Sequence, residues 1–310
     1  MNVVVVRYGE IGTKSRQTRR WFESILVNNI REALVSGGID FKGIEAKHGR
    51  ILVRTNRTEE AAEVLTRVFG IVSLSPAMEV KAELEKINRT ALRLFRRKKR
   101  ELGVEKPRFR VTARRITKEF PLRSPEVQAK VGEYILENEE SEVDLRGYEI
   151  EVGVELMDGK AYVYVDRVHA WGGLPIGTQG KVVALLSGPN SAVSAFLMMK
   201  RGVEVIPLYV LGSEEELEAV RGLWRKLKRY AYGSKAELVV AKGEPLQEAL
   251  KVARQFGAKG VVLGRYADSL TEELVDELVR ENERTDIPLF YPILALPEGY
   301  VERIRRRAGL

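Results

Sequence analysis

Ser187-Gly188-Pro189-Asn190-Ser191 is the stretch of this chain whose residue types come nearest to a chemical site. It ends the apolar run 182–186 and opens an amphipathic segment that reaches Gly202; a second apolar run, 203–210, follows. The pattern predicts strand, tight turn, helix and strand, with Pro189 in the first helical turn and Gly202 stopping the helix. Such a turn aims free backbone N–H groups and the positive end of a helix dipole at one point, which suits a phosphate. A plain strand–helix–strand unit with a small-residue turn uses the same residue types, so the turn alone leaves both readings open.

A second concentration of chemistry is basic. Between Arg89 and Arg123 the sequence holds 14 Lys or Arg against 3 Glu, within a net charge of +8. A surplus that dense is an electrostatic footprint for a polyanion, nucleic acid first. Arg96, Arg97, Lys98 and Lys99 sit near the end of one predicted helix, where cations also favour the dipole without any ligand. Arg114, Arg115, Lys118 and Arg123 run past the end of a predicted strand into a loop.

Other chemistry is scarce. There is no cysteine, which excludes disulfides, thiolate metal sites and any persulfide carried by this chain. The two histidines, His48 and His169, fall in different contexts and support neither a hydrolase triad nor a metal site; each reads as a loop or strand-end residue. No catalytic residue and no metal ligand can be assigned. Asp268 is the best-placed acid near a strand end and reads as a helix cap.

The elements that position these residues alternate regularly. Residues 2–7, 41–46, 51–55 and 72–78 read as strands, with helices from Ser15 to Val35 and from a Thr58 cap to Phe69: the β-α-β-β-α-β order of a ferredoxin-like unit. A second unit has helix 83–102, strand 108–113, helix 124–137 and strands 148–156 and 161–165. Trp171 to Gly180 is rich in Gly and Pro and reads as a linker or a hinge near a cleft. From Val182 onward strands and helices alternate, which predicts a doubly wound parallel sheet with ligands at the carboxyl ends of its strands, where Ser187, Tyr209, Val210 and Gly264 would lie. No apolar run is long enough for a membrane span and the N-terminus has no signal-peptide pattern, so a cytoplasmic protein is expected. Five Gln and eight Asn beside 52 Lys and Arg give the composition a thermophilic lean.

Arg7-Tyr-Gly-Glu-Ile-Gly12, Lys118-Glu-Phe-Pro-Leu-Arg-Ser-Pro125, Asp166-Arg167, Gly172-Gly-Leu-Pro-Ile-Gly177, Leu185-Leu-Ser-Gly188 and Leu197-Met-Met-Lys-Arg-Gly202 closely resemble the tRNA 4-thiouridine synthetase family, also named for thiamine biosynthesis. The resemblance runs over nearly the whole chain. It implies α/β and α+β domains: a ferredoxin-like N-terminal domain (1–78), a THUMP RNA-binding domain (79–168), a linker (169–181) and a pyrophosphatase-loop domain (182–310). It also implies that ATP, with Mg²⁺, is held around Leu185, Leu186, Ser187, Gly188, Asn190, Ser191, Tyr209, Val210 and Gly264. The acceptor-stem region of tRNA would meet Arg96, Arg97, Lys98, Lys99, Arg114, Arg115, Lys118 and Arg123. Members of the family adenylate uridine 8 of tRNA and exchange its oxygen for sulfur.

The family loop reads Ser-Gly-Gly-x-Asp-Ser. Here Pro189 replaces the second Gly and removes an N–H donor, Ser191 takes the acidic position and Ala192 the second serine. Arg265-Tyr-Ala-Asp-Ser269 replaces a Gly- and Gln-containing segment, and Glu273 falls where a glutamine would. Without a thiol, sulfur would have to come from a partner protein or a free donor. Three readings follow: an ATP-dependent tRNA thiolation enzyme, a tRNA-binding scaffold serving an active partner and possible as a homodimer, and a small-molecule role such as nucleotide sensing or thiazole formation for thiamine.

Overall fold

The computed structural model describes residues 1–310, which fall into two compact units. The first comprises Met1–Gly12, Ala33–Thr66 and Ile71–Ala170; the second comprises Thr13–Glu32, Arg67–Gly70 and Trp171–Leu310.

The first unit begins β1 (Val3–Tyr8), the end of α1 (Arg16–Ser36), β2 (Gly43–Lys47), β3 (Arg50–Arg54), α2 (Thr58–Leu65) and β4 (Ile71–Lys81). It continues with α3 (Leu84–Leu102), β5 (Arg108–Arg115), α4 (Ser124–Asn138), β6 (Glu142–Val143), β7 (Ile150–Met157), β8 (Lys160–Tyr164) and β9 (Val168–His169). All nine strands join one sheet, ordered β2-β3-β1-β4-β8-β7-β5-β6, with β9 beside β4. The periodicity divides this region into two sheets, whereas β4 belongs to both. Residues 71–77 of β4 pair with β1, and Met78–Lys81 pair with β8. Its edge groups therefore find partners three residues beyond the predicted end. Pro76, which lacks an N–H, sits opposite Val4 of β1 and falls between the stretches of β4 paired by β9 and by β8.

Two apparent helix signals resolve differently. Thr58 lies inside α2, with Arg57 at the N-cap and no side-chain cap bond. The helix stops at Leu65, and Phe69 packs instead in the second unit, its ring centroid 5.1 Å from that of Phe196.

The sheet curls enough for its concave face to touch itself. Arg7 on β1 and Arg50 on β3 both reach Glu155 on β7, at 2.7 and 2.6 Å, although β4 and β8 lie between in the strand order. The Arg7 guanidinium stacks 4.8 Å above the Tyr164 ring. The β2–β3 and β7–β8 turns, His48-Gly49 and Asp158-Gly159, have positive φ at both positions, as tight hairpins of this twist require. They meet through Lys47–Asp158 at 2.5 Å and His48–Asp158 at 3.1 Å. His48 is thus a turn residue in hydrogen-bond contact with Asp158.

The second unit has β10 (Lys181–Leu185), α5 (Pro189–Lys200), β11 (Glu204–Val210), α6 (Glu214–Lys228), β12 (Val239–Ala241), α7 (Pro245–Phe256), β13 (Val261–Val262), α8 (Glu272–Glu283), β14 (Leu289–Phe290) and α9 (Glu298–Ala308). Its sheet is parallel, ordered β12-β11-β10-β13-β14. Phe196 of α5, Trp224 of α6 and Ile304 of α9 share one core, while Leu250 of α7 packs with Val183 and Ile206 in the other. The strands order outward in both directions from β10, which makes its carboxyl end the switch point of the sheet.

The Gly- and Pro-rich stretch from Trp171 belongs to this unit. It closes the C-terminal end of α5: Leu174 N–H donates to the Lys200 carbonyl at 3.0 Å, and the N–H groups of Gly177, Thr178 and Gln179 converge on the Gly202 carbonyl at 3.0–3.1 Å. Gly173 has φ +77°, and a Cβ there would overlap the Lys200 carbonyl. This clasp sits at the opposite end of α5 from Ser187, about 18 Å away by helix rise, and is no hinge at that loop.

Candidate nucleotide loop and RNA interface

Ser187 and Gly188 follow β10 and lead into α5 at the switch point. The turn is occupied by its own side chain. Ser191 Oγ accepts from Ser187 N–H at 2.9 Å and from Gly188 N–H at 3.1 Å, and donates to the Gly188 carbonyl at 2.6 Å. Two of the donors expected to face a phosphate are therefore engaged, and Pro189 supplies none. The groups left over are the backbone N–H of Asn190 and Ser191, the Asn190 amide and the Ser187 hydroxyl.

Gly264, after β13, packs directly on this turn: a Cβ there would lie 2.5 Å from the Ser191 Cα and nitrogen. It faces the turn's backbone and leaves no room for a side chain. Leu185 and Leu186 lie at the end of β10, half-buried and buried, next to the turn. Val210 ends β11, but the Tyr209 side chain is used elsewhere. Its hydroxyl donates to Glu216 at 2.9 Å and accepts from Gly212 N–H at 3.2 Å, bracing the start of α6. Asp268 caps nothing; the N-cap of α8 is Thr271, whose hydroxyl accepts from Leu274 N–H at 3.3 Å. Asp268 instead stands near Tyr266, whose phenol is raised above its ordinary range by burial, with Asp268 and Glu298 adding to the shift. No group of three His, Asp or Glu side chains could hold a metal ion.

The basic stretch divides into two kinds of cation. On α3, Arg96 and Lys99 both bind Glu139, at 2.5 and 2.9 Å, Lys98 binds Asp166 at 2.6 Å, and Arg97 lies 3.4 Å from Glu59 and 3.3 Å from Glu101. Glu139 is held below the usual carboxylate range by Arg96 and Lys99. Arg115 holds the following loop, its Nη1 donating to the carbonyls of Phe120 at 2.8 Å and Leu122 at 3.2 Å. Arg114, Lys118 and Arg123 are exposed, and no carboxylate pairs with them. Spacing alone leaves all eight cations equal, because apart from Glu101 the acids that pair with four of them, Glu59, Glu139 and Asp166, lie 38 to 68 residues away and only the fold brings them near.

A ferredoxin-like sheet continuous with a THUMP domain, followed by a doubly wound sheet with a phosphate-type turn at its switch point, defines a class of tRNA-modifying proteins. Family models agree with that architecture: a ThiI ferredoxin-like domain over residues 3–75, a THUMP domain over 81–166 and the thiamine biosynthesis protein (ThiI) model over 177–304. A probable tRNA sulfurtransferase of Thermococcus kodakarensis is 62% identical, over 99% of this chain and 88% of that protein. One from Methanocaldococcus jannaschii is 32% identical, over 99% of this chain and 87% of that protein. The chain belongs to the tRNA sulfurtransferase family. A crystal structure from Pyrococcus horikoshii matches with a TM-score of 0.91 and 59% identity, covering all of both chains. A 4-thiouridine synthetase solved with RNA and ATP matches with a TM-score of 0.85 and 27% identity, over all of this chain and 85% of that one. The Thermococcus alignment runs over 334 positions against 310 residues here, so at least 24 residues of that relative have no counterpart in this chain.

Proposed function

We propose that this chain is a tRNA-binding member of the 4-thiouridine synthetase family that holds the acceptor-stem region of tRNA and serves as a scaffold, without adenylating the tRNA itself. The observation that carries this reading is the Ser191 hydroxyl seated in the turn, satisfying the Ser187 and Gly188 N–H groups. A pyrophosphate gripped by those donors would have to displace it, and neither a carboxylate at position 191 nor a hydroxyl at 192 is present to assist. The residues present do not fit the family's grip on ATP and Mg²⁺, so no chemical step is assigned to the turn. With no thiol, sulfur for any modified tRNA would come from a partner protein or a free donor.

RNA binding rests on Arg114, Lys118 and Arg123, which lie on or beside the loop after β5 with their charge unspent. Contacts of this kind position an RNA by shape and charge more than by sequence. One feature favours the enzymatic alternative: the free Asn190 and Ser191 N–H groups at the switch point can still meet a phosphate.

The deciding measurement is AMP release from labelled ATP, with and without unmodified tRNA, alongside direct tRNA binding. The expected result is tight tRNA binding with no tRNA-dependent AMP. AMP formed only when tRNA is present would restore the enzymatic reading, with an external sulfur donor.

A further inference from the structure

Lys14 to Arg20 carries four cations and no acid, and Trp21 follows. In the second unit this stretch leads into and forms the start of α1, and its charge opposes the local field. The N-terminal end of a helix is positive and favours carboxylates, yet α1 has no acid in its first turn. Lys14, Arg16 and Arg20 are exposed and no carboxylate pairs with them. The cations that end α3, α6 and α9 stand at the favourable end of their helices and need no ligand to explain them. Those at the start of α1 stand at the unfavourable end of theirs.

Trp21 is 49% exposed, its ring meeting only the edge of Phe22, at 5.1 Å and 87°. Gln17, Ser24 and Asn28, one and two turns away on the same face, are exposed as well. The helix end is not the receptor: Ser15 Oγ already accepts from Thr18 N–H at 3.4 Å. The side chains are. A lipid surface fits poorly, because the next exposed large apolar residue on α1 is Val35, about 21 Å along the helix. A lone indole among cations and amides suits a nucleobase, which stacks on one face while its flanking phosphates meet the charges.

We propose that Lys14, Arg16, Arg20 and Trp21 form a contact for unpaired nucleotides of RNA, the indole stacking on a base and the three cations taking the adjacent phosphates. This inference rests on the tRNA-binding reading and adds to it a surface on the second unit. The test uses full-length W21A, W21F and R16A/R20A proteins, titrated with unmodified tRNA and with a blunt acceptor-stem duplex that has no unpaired nucleotides. W21A should weaken tRNA binding about fivefold or more and leave the duplex unchanged, while W21F keeps most of the affinity. R16A/R20A should lower the salt slope by about 1.4. If W21A binds tRNA like the parent while R114A/K118A still weakens it, this inference fails and the tRNA-binding reading stands. If neither variant weakens tRNA binding, both fail. Binding to phosphatidylserine vesicles that W21A abolishes, with tRNA binding unchanged, would overturn the RNA contact in favour of a membrane.

Discussion

Arg96 and Arg114 come from one basic stretch and carry the same charge, yet only one of them is free to use it. Arg96 shares Glu139 with Lys99, so an approaching phosphate would compete with a carboxylate already in place. Arg114 has no such competitor. Counterion release counts only charge newly neutralised on binding, about 0.7 to 0.9 units of salt slope per phosphate contact. Replacing Arg114 and Lys118 by alanine should therefore flatten the salt dependence of tRNA binding by about 1.4 to 1.8 units. The R96A/K99A pair should change it by less than half as much. A filter-binding series across salt concentrations separates the two, and equal slopes for both variants would remove the distinction drawn from the ion pairs. At the nucleotide loop the same scale of reasoning applies to Ser191, whose single hydroxyl replaces a family carboxylate and turns inward.

At the scale of elements, one glycine lets the concave face of the first unit close. Gly153 on β7 pairs across with Tyr164 on β8, and the phenol ring packs against it; a Cβ there would overlap the ring. That ring is in turn the platform for Arg7. Gly153→Ala should displace Tyr164 and cost about 1–3 kcal/mol in a urea unfolding titration, as overpacking of a tight core does. A variant as stable as the parent would mean the ring has room to move. The clasp at residues 171–180 shows the same dependence on backbone. Gly202 has φ +86°, and a Cβ there would overlap the Thr178 hydroxyl.

Across the whole molecule, the most buried charge is Glu155, and it links β1, β3 and β7 within the nine-stranded sheet. Burial alone would raise its pKa, but Arg7 and Arg50 outweigh burial and hold it below the usual carboxylate range. A carboxyl depressed in the folded state adds stability above its unfolded pKa, about 4.3, and that contribution is lost as pH falls through the folded value. The melting temperature of the full chain should therefore hold down to about pH 4.5 and fall below it. Glu155→Gln leaves two guanidinium groups buried without a counter-charge and should cost about 3–5 kcal/mol at neutral pH. If it melts like the parent, the triad contributes nothing to the sheet.

Much of this was legible in the sequence. The strand–turn–helix at 182–202, the alternation that follows it and the surplus of cations between Arg89 and Arg123 are local patterns, and local spacing sets which residues share a face. The family motifs carried the architecture, and the substitutions at positions 189, 191 and 192 were visible as letters. What those letters do was not. That Ser191 folds back onto two N–H groups, that Glu139 and Asp166 engage three of the eight cations, and that β4 stitches two predicted sheets into one all depend on groups brought together by packing. Sequence spacing reports which residues lie on one face of an element. Pairing across 40 or 150 residues is decided by which buried donors and charges find partners, and that is settled only once the chain is folded.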